Sequence, residues 1–117
     1  NLVDYGRLYN WYAVNDARGL CPNEWRVPTD SEYTALIESL GGPAVAGEKM
    51  KAAPFDSPSW DGTNISGFSG LAGGVLSNIG NFSNEGSKGF FWSSSSQGPS
   101  AWFRELNNGS IDFKSIR

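Results

Sequence analysis

The sequence predicts a single α+β domain over residues 1–117, in which helix comes first and antiparallel sheet last. Three observations carry that expectation. A capping box opens an amphipathic helix near residue 30. A hairpin signal at Asn108-Gly109 sits between two alternating segments. A long stretch rich in Gly, Ser and Asn separates them.

Taken in order, Tyr9-Asn10-Trp11-Tyr12-Ala13-Val14 reads as a strand or a short aromatic helix, and Asp16-Ala17-Arg18-Gly19 ends it with a turn signal. Trp25-Arg26-Val27-Pro28 is expected to be extended, because the residue before a proline avoids the helical region. Thr29 then serves as N-cap, with Glu32 reaching back from the third helical position. Tyr33, Leu36, Ile37 and Leu40 form one apolar face, and Gly41-Gly42 supplies the stop, so the spacing predicts a helix over 30–40. Residues 43–52 suit one or two helical turns. From 53 to 88 the chain is expected to be a long loop region broken by single rings at Phe55, Trp60, Phe68 and Phe82. Each ring is expected to pin its loop to the core.

Gly89 to Ser96 reads as an aromatic strand, and Ala101 to Arg117 as a hairpin about Asn108-Gly109. A two-residue turn there pairs Leu106 with Ile111 and Arg104 with Phe113. It places Trp102, Leu106, Ile111 and Phe113 on the core face. It also sets Glu105 opposite Asp112, a like-charge pair that Lys114 lies diagonal to and can relieve. Trp11, Trp25, Trp92 and Trp102 are assigned to the core.

Composition excludes several classes of function. Aromatics make up 14% of the chain and charged residues only 18%, which is not the profile of a disordered segment. Nine Lys and Arg against twelve Asp and Glu leave a net charge of -3, with no basic excess for nucleic acid. No apolar run approaches the ~20 residues that span a bilayer, so no membrane insertion is expected. The chain has no His, which removes the usual general base near neutral pH and most catalytic zinc sites. Its one cysteine, Cys21, allows no internal disulfide. It is either a small buried hydrophobe or half of a bridge to a residue outside this chain.

Several blocks appear together in order: Tyr5-Gly6-Arg7-Leu8-Tyr9-Asn10-Trp11-Tyr12-Ala13-Val14, Gly19-Leu20-Cys21-Pro22, Trp25-Arg26-Val27-Pro28-Thr29-Asp30, Gly67-Phe68-Ser69, Phe91-Trp92-Ser93-Ser94 and Ala101-Trp102-Phe103-Arg104. They resemble the Fibrobacter succinogenes major paralogous domain, a family of bacterial secreted and surface modules. The resemblance implies a C-type lectin-like fold, more distantly similar to formylglycine-generating enzymes. Two helices, near 9–17 and over 30–40, would precede the loop region and a small twisted antiparallel sheet. The family pattern also implies a strand before Asn1 and another after Arg117, the latter with a cysteine that pairs with the position of Cys21. On that pattern the domain is expected to be incomplete at both ends: trimmed, completed by another polypeptide, or closed in a different way.

The same resemblance argues against catalysis. Formylglycine-generating relatives use a pair of active-site cysteines and this chain has one. Asp56 and Asp61 are the only carboxylates considered for glycoside hydrolysis, and nothing raises them above solvated loop charges. Sugar-binding lectins of this fold use Glu-Pro-Asn or Gln-Pro-Asp together with Trp-Asn-Asp, whereas this chain has Gln97-Gly98-Pro99 and no Trp-Asn-Asp. No cofactor is expected; a calcium site of loop oxygens is chemically available but no spacing marks one.

The expected function is therefore that of a non-enzymatic, secreted or cell-surface binding or display module of a bacterial surface protein. Its ligand, a glycan or a protein, would meet the loop region at Trp60, Asp61 and Asn64 near one tip and at Asn84 and Glu85 near another. For Trp60 a pinned loop is the competing assignment. The alternative function is a structural subunit of an extracellular assembly, with the missing strand supplied by another chain.

Overall fold

The computed structural model describes residues 2–107 and 111–116, and the side chains of residues 3–107. Among these the chain is mixed α/β. Helices α1 (Leu2–Tyr5), α2 (Trp11–Val14), α3 (Asp30–Ser39) and α4 (Pro43–Met50) precede strands β1 (Val75–Leu76), β2 (Phe82–Ser83), β3 (Lys88–Gln97), β4 (Ser100–Asn107) and β5 (Ile111–Ile116). β1 and β2 form a two-stranded sheet, and β3-β4-β5 a three-stranded antiparallel one.

Four helices stand where the resemblance implies two, and α4 occupies the 43–52 segment that suits one or two helical turns. The helix expected near 9–17 is one turn: Asn10 caps it by accepting from the Ala13 N–H at 2.9 Å, and the Asp16–Arg18 turn ends it. The helix expected over 30–40 is α3. Thr29 Oγ1 accepts from the Glu32 N–H while the Glu32 carboxylate accepts from the Thr29 N–H, so the capping box forms as read. At its end the Gly42 N–H donates to the Ile37 carbonyl and the Gly41 N–H to the Glu38 carbonyl, a Schellman motif. That motif reverses the chain directly into α4, with Pro43 at its first turn.

The core consists of Ile37, Ala46, Met50, Ala52, Trp60, Ala72 and Leu106, with Leu36, Leu40, Leu71 and Phe91 packed against it. Trp60, Ala72 and Leu71 of this set come from the loop region, which outside the short β1–β2 ladder is tied by isolated backbone pairing. Ala52 and Gly62 donate to Gly70 and Ala52 carbonyls, and Gly70 to Met50. Gly62 shows why small residues are needed there, since a Cβ on it would lie 2.4 Å from the Lys51 carbonyl oxygen.

The hairpin begins in the expected register, with Leu106 opposite Ile111 and Glu105 opposite Asp112. The Asn108-Gly109 turn, and the side chains of Ile111, Phe113 and Lys114, lie outside the described residues. Among the described side chains Glu105 meets Lys88 Nζ at 3.3 Å and Asn107 Nδ2 at 3.0 Å. Further along, a register shift between Phe103 and Glu105 sets Phe103 opposite Ser115 and Trp102 opposite Ile116. Burial on β4 accordingly falls on Ala101, Arg104 and Leu106, so Ala101 takes the core place expected of Trp102, which is half-buried.

Other rings depart from expectation. Trp25, assigned to the core, is 75% exposed, because the turn in which its N–H donates to the Pro22 carbonyl carries the indole outward. Trp11 and Trp92 are half-buried, 5.7 Å apart between ring centres. Of the rings expected to pin the loop region, Trp60 does so and Phe68 rests edge-on against Phe91 at 5.7 Å. Phe55 and Phe82 are exposed and pin nothing.

Candidate functional site

The five residues picked out in the loop region fall into two groups held by different partners. In the first, Trp60 is buried, its Nε1 has no hydrogen-bond partner among the described residues, and its ring is not offered to solvent. Pinning is the role its position supports. Lys51 lies beneath it, its side chain 1% exposed and its Nζ 5.5 Å from the ring centre. Asp61, half-exposed, meets that Nζ at 2.8 Å. A buried ammonium requires a counter-charge, so Asp61 is committed to holding Lys51.

Asn64 closes a small polar network next to it. Its Nδ2 donates to Ser69 Oγ at 2.9 Å and to Asp56 Oδ2 at 3.2 Å, while its Oδ1 accepts from the Ser69 N–H. Asp56 Oδ2 also accepts from the Ala53 N–H at 2.7 Å. The two carboxylates considered for glycoside hydrolysis, Asp56 and Asp61, are thus occupied in holding the loop. Phe55 and Ile65 flank this network and are exposed.

The second group is at the other tip. Asn84 adopts the left-handed conformation at φ 62 and its carbonyl accepts from the Ser87 and Lys88 N–H groups, closing a tight turn. Glu85 is exposed on that turn. Just before it, Leu76 and Phe82 face each other across the β1–β2 ladder, with Ile79 in the connecting turn. Ile79 and Phe82 are 78% and 74% exposed.

A third feature escaped the sequence reading. The β3–β4 pair buries one face, with Gly89, Phe91 and Ser93 alongside Arg104 and Leu106. Phe90, Trp92 and Phe103 lie on the other face, with Phe90–Phe103 and Trp92–Phe103 centres each 6.0 Å apart. Residues 7–14 and 20–28 stand over this aromatic face without closing it. They leave a cleft of about 700 Å³ lined by Leu8, Tyr9, Val27 and Cys21 among others. Trp92 Nε1 donates to the Tyr9 carbonyl and so fixes one wall to the floor. Arg26 forms a double hydrogen bond with Glu32, which holds that carboxyl down to about 2; the Thr29 N–H adds to the effect. Arg7, also on the wall, makes no ion pair or hydrogen bond among the described residues. The Tyr5–Val14 block carries no local signal that announces a cleft, which needs the distant strands β3 and β4.

Behind the opposite face, Arg104 joins sheet to helix. Its guanidinium meets the Asp30 carboxylate at 2.9 Å, the Asp30 carbonyl at 3.0 Å and Thr34 Oγ1 at 2.6 Å. Tyr33 donates from its hydroxyl to the Trp92 carbonyl, and burial pushes its phenol up to about 12. No group of three or more His, Cys, Asp and Glu side chains suited to a metal ion occurs among the described residues. No helix among them is long and apolar enough to cross a membrane.

These features define a small mixed α/β domain dominated by loops, with two polar-apolar tips and one aromatic cleft. The chain belongs to the Fibrobacter succinogenes major domain family, whose sequence profile matches residues 1–115. No curated protein and no solved structure matches it.

Proposed function

We propose that this chain is a non-enzymatic binding or display module, secreted or held at the bacterial cell surface, that meets a glycan or protein ligand through its loop region. The observation that carries the reading is the set of large apolar side chains left exposed there: Phe55 and Ile65 beside Asn64 and Asp61, and Ile79 and Phe82 beside Asn84 and Glu85. Apolar side chains grouped with polar neighbours on a surface mark contact sites more often than chance. Family membership supports the secreted or surface setting that the resemblance implies. The order of helices, long loop region and antiparallel sheet supports a C-type lectin-like arrangement.

A glycan array together with a panel of surface-protein probes tests this reading. Binding that weakens in Ile79→Ser or Phe82→Ser supports it, and failure to bind any probe sinks it. No cofactor is part of the proposal.

A second reading, a structural subunit to which another chain adds a strand, is favoured by the position of Cys21 on the wall of an open cleft. There it would reach a cysteine on an incoming strand. A thiol titration of the native protein with a non-reducing gel tests this: a free Cys21 in a clean monomer would count against it.

A further inference from the structure

Three independent properties of the cleft point to the same kind of occupant. The floor is apolar and built on alternate strand positions, with Phe90 and Trp92 from β3 and Phe103 from β4. The walls include irregular backbone with unused donors: the N–H groups of Arg7, Leu8 and Tyr9, and of Arg26 and Val27, make no hydrogen bond among the described residues, and residues 74–78 line the cleft as well. The charge is one-sided. In a chain of net charge -3, the residues lining the cleft include two arginines and no Asp or Glu. Arg26 is paired with Glu32, whereas Arg7 makes no ion pair among the described residues. Arg7 also lines a neighbouring cavity of about 340 Å³, so it stands where the two hollows meet.

We infer that the cleft is a strand-addition site that takes an extended segment of a partner polypeptide, apolar at alternate positions and carrying a carboxylate opposite Arg7. A neutral sugar can stack on the rings and pair with Asn10, Ser77 or Asn78, but it offers neither a carboxylate to Arg7 nor carbonyls at strand spacing. A simple apolar ligand would leave both rows of backbone donors and the arginine unanswered. An extended peptide meets all three, because its carbonyls repeat at strand spacing and its side chains alternate between floor and solvent. Placement of an Asp or Glu against Arg7 then fixes the register of the added segment.

The inference rests on the reading of the chain as a binding module and adds the cleft to the loop tips as a contact. The test is selection of random nine-residue peptides displayed on phage against the 117-residue chain. Enriched sequences are expected to alternate apolar residues and to carry one acidic residue. A synthetic copy should bind at least tenfold more weakly to Arg7→Glu, and recover when its acid is replaced by lysine. Amide hydrogen exchange should slow at residues 7–9 and 26–27 in the complex. Arg7 is exposed, so circular dichroism is expected to show the variant folded. Peptides indifferent to the charge swap, or binding that leaves those amides unprotected, would overturn the inference. A chain that binds glycans but enriches no peptide also overturns it and leaves the binding-module reading standing. A chain that binds neither sinks both.

Discussion

The two faces of the β3-β4 pair are built from the same residues in alternation, yet they end in opposite states. One face is closed by α3, α4 and the loop region, with Leu106 at its centre and Arg104 bonded through to Asp30 and Thr34. The other carries three large rings and is only half covered by residues 7–14 and 20–28. The closed face is the one with the small residues. Ser93 and Ala101 are buried there, and Gly89 lets loop backbone come close, since a Cβ on it would lie 2.4 Å from the Leu71 carbonyl oxygen. Rings alone supply apolar area but hold a covering segment at a distance, so they make a floor rather than a seam.

The largest break in that comparison is expected from Leu106→Ala, which empties the centre of the closed face and should cost roughly 2–5 kcal/mol. Phe103→Ala, on the half-covered face, should cost clearly less in the same chemical denaturation series. Equal losses would show the two faces to be energetically alike. The next largest effect is expected at the buried ammonium. Asp61→Ala leaves Lys51 without its counter-charge and should cost about 1–3 kcal/mol, the half-exposure of Asp61 keeping it below a fully buried pair. Lys51→Met, which removes the charge and keeps the length, should cost less than Asp61→Ala. The reverse order would show that the ion pair adds stability rather than merely satisfying a buried charge.

Alkaline titration sharpens the contrast through Tyr33, whose phenol burial pushes up to about 12. Its neutral form favours the folded state fully below the ordinary value of 10, and the contribution is lost as pH rises from there towards 12. Thermal midpoints should therefore fall more steeply over that window in the native protein than in Tyr33→Phe. The helix cap comes next: Thr29→Ala removes one half of the capping box and should cost about 1 kcal/mol by urea denaturation. The smallest effect is expected at the β1–β2 tip. Phe82→Ser touches no core contact and should change stability by less than about 0.5 kcal/mol. A larger loss there would mean that the ring supports the fold, and would remove it from the proposed contact surface.

Legibility from sequence followed the range of the forces involved. The α3 cap, its glycine stop and the first pairs of the β4–β5 ladder all depend on residues within a few positions of one another. All were readable. The loop region was readable as a loop, and Trp60 as a residue with two available roles, of which burial selects pinning. Trp102 departs from the expected place because burial on β4 steps from Ala101 to Arg104, beside a register shift against β5 between Phe103 and Glu105 that no turn residue announces. Trp25 was misplaced because a large ring counts as core material by composition alone, whereas its turn directs it to solvent.

What the sequence determined by itself is the family, the helix-then-sheet order and the capped helix α3. These rest on local hydrogen bonding and on contiguous motifs that survive without knowledge of the partners. Tertiary structure decided which rings are buried, that Asp61 serves Lys51, and that one sheet face opens onto a cleft walled by Arg7 and Arg26. Those outcomes depend on segments as much as 83 residues apart, such as Tyr9 and Trp92, meeting at hydrogen-bonding distance. Their physical basis is burial and the satisfaction of buried polar groups, and neither is defined until the chain has closed around them.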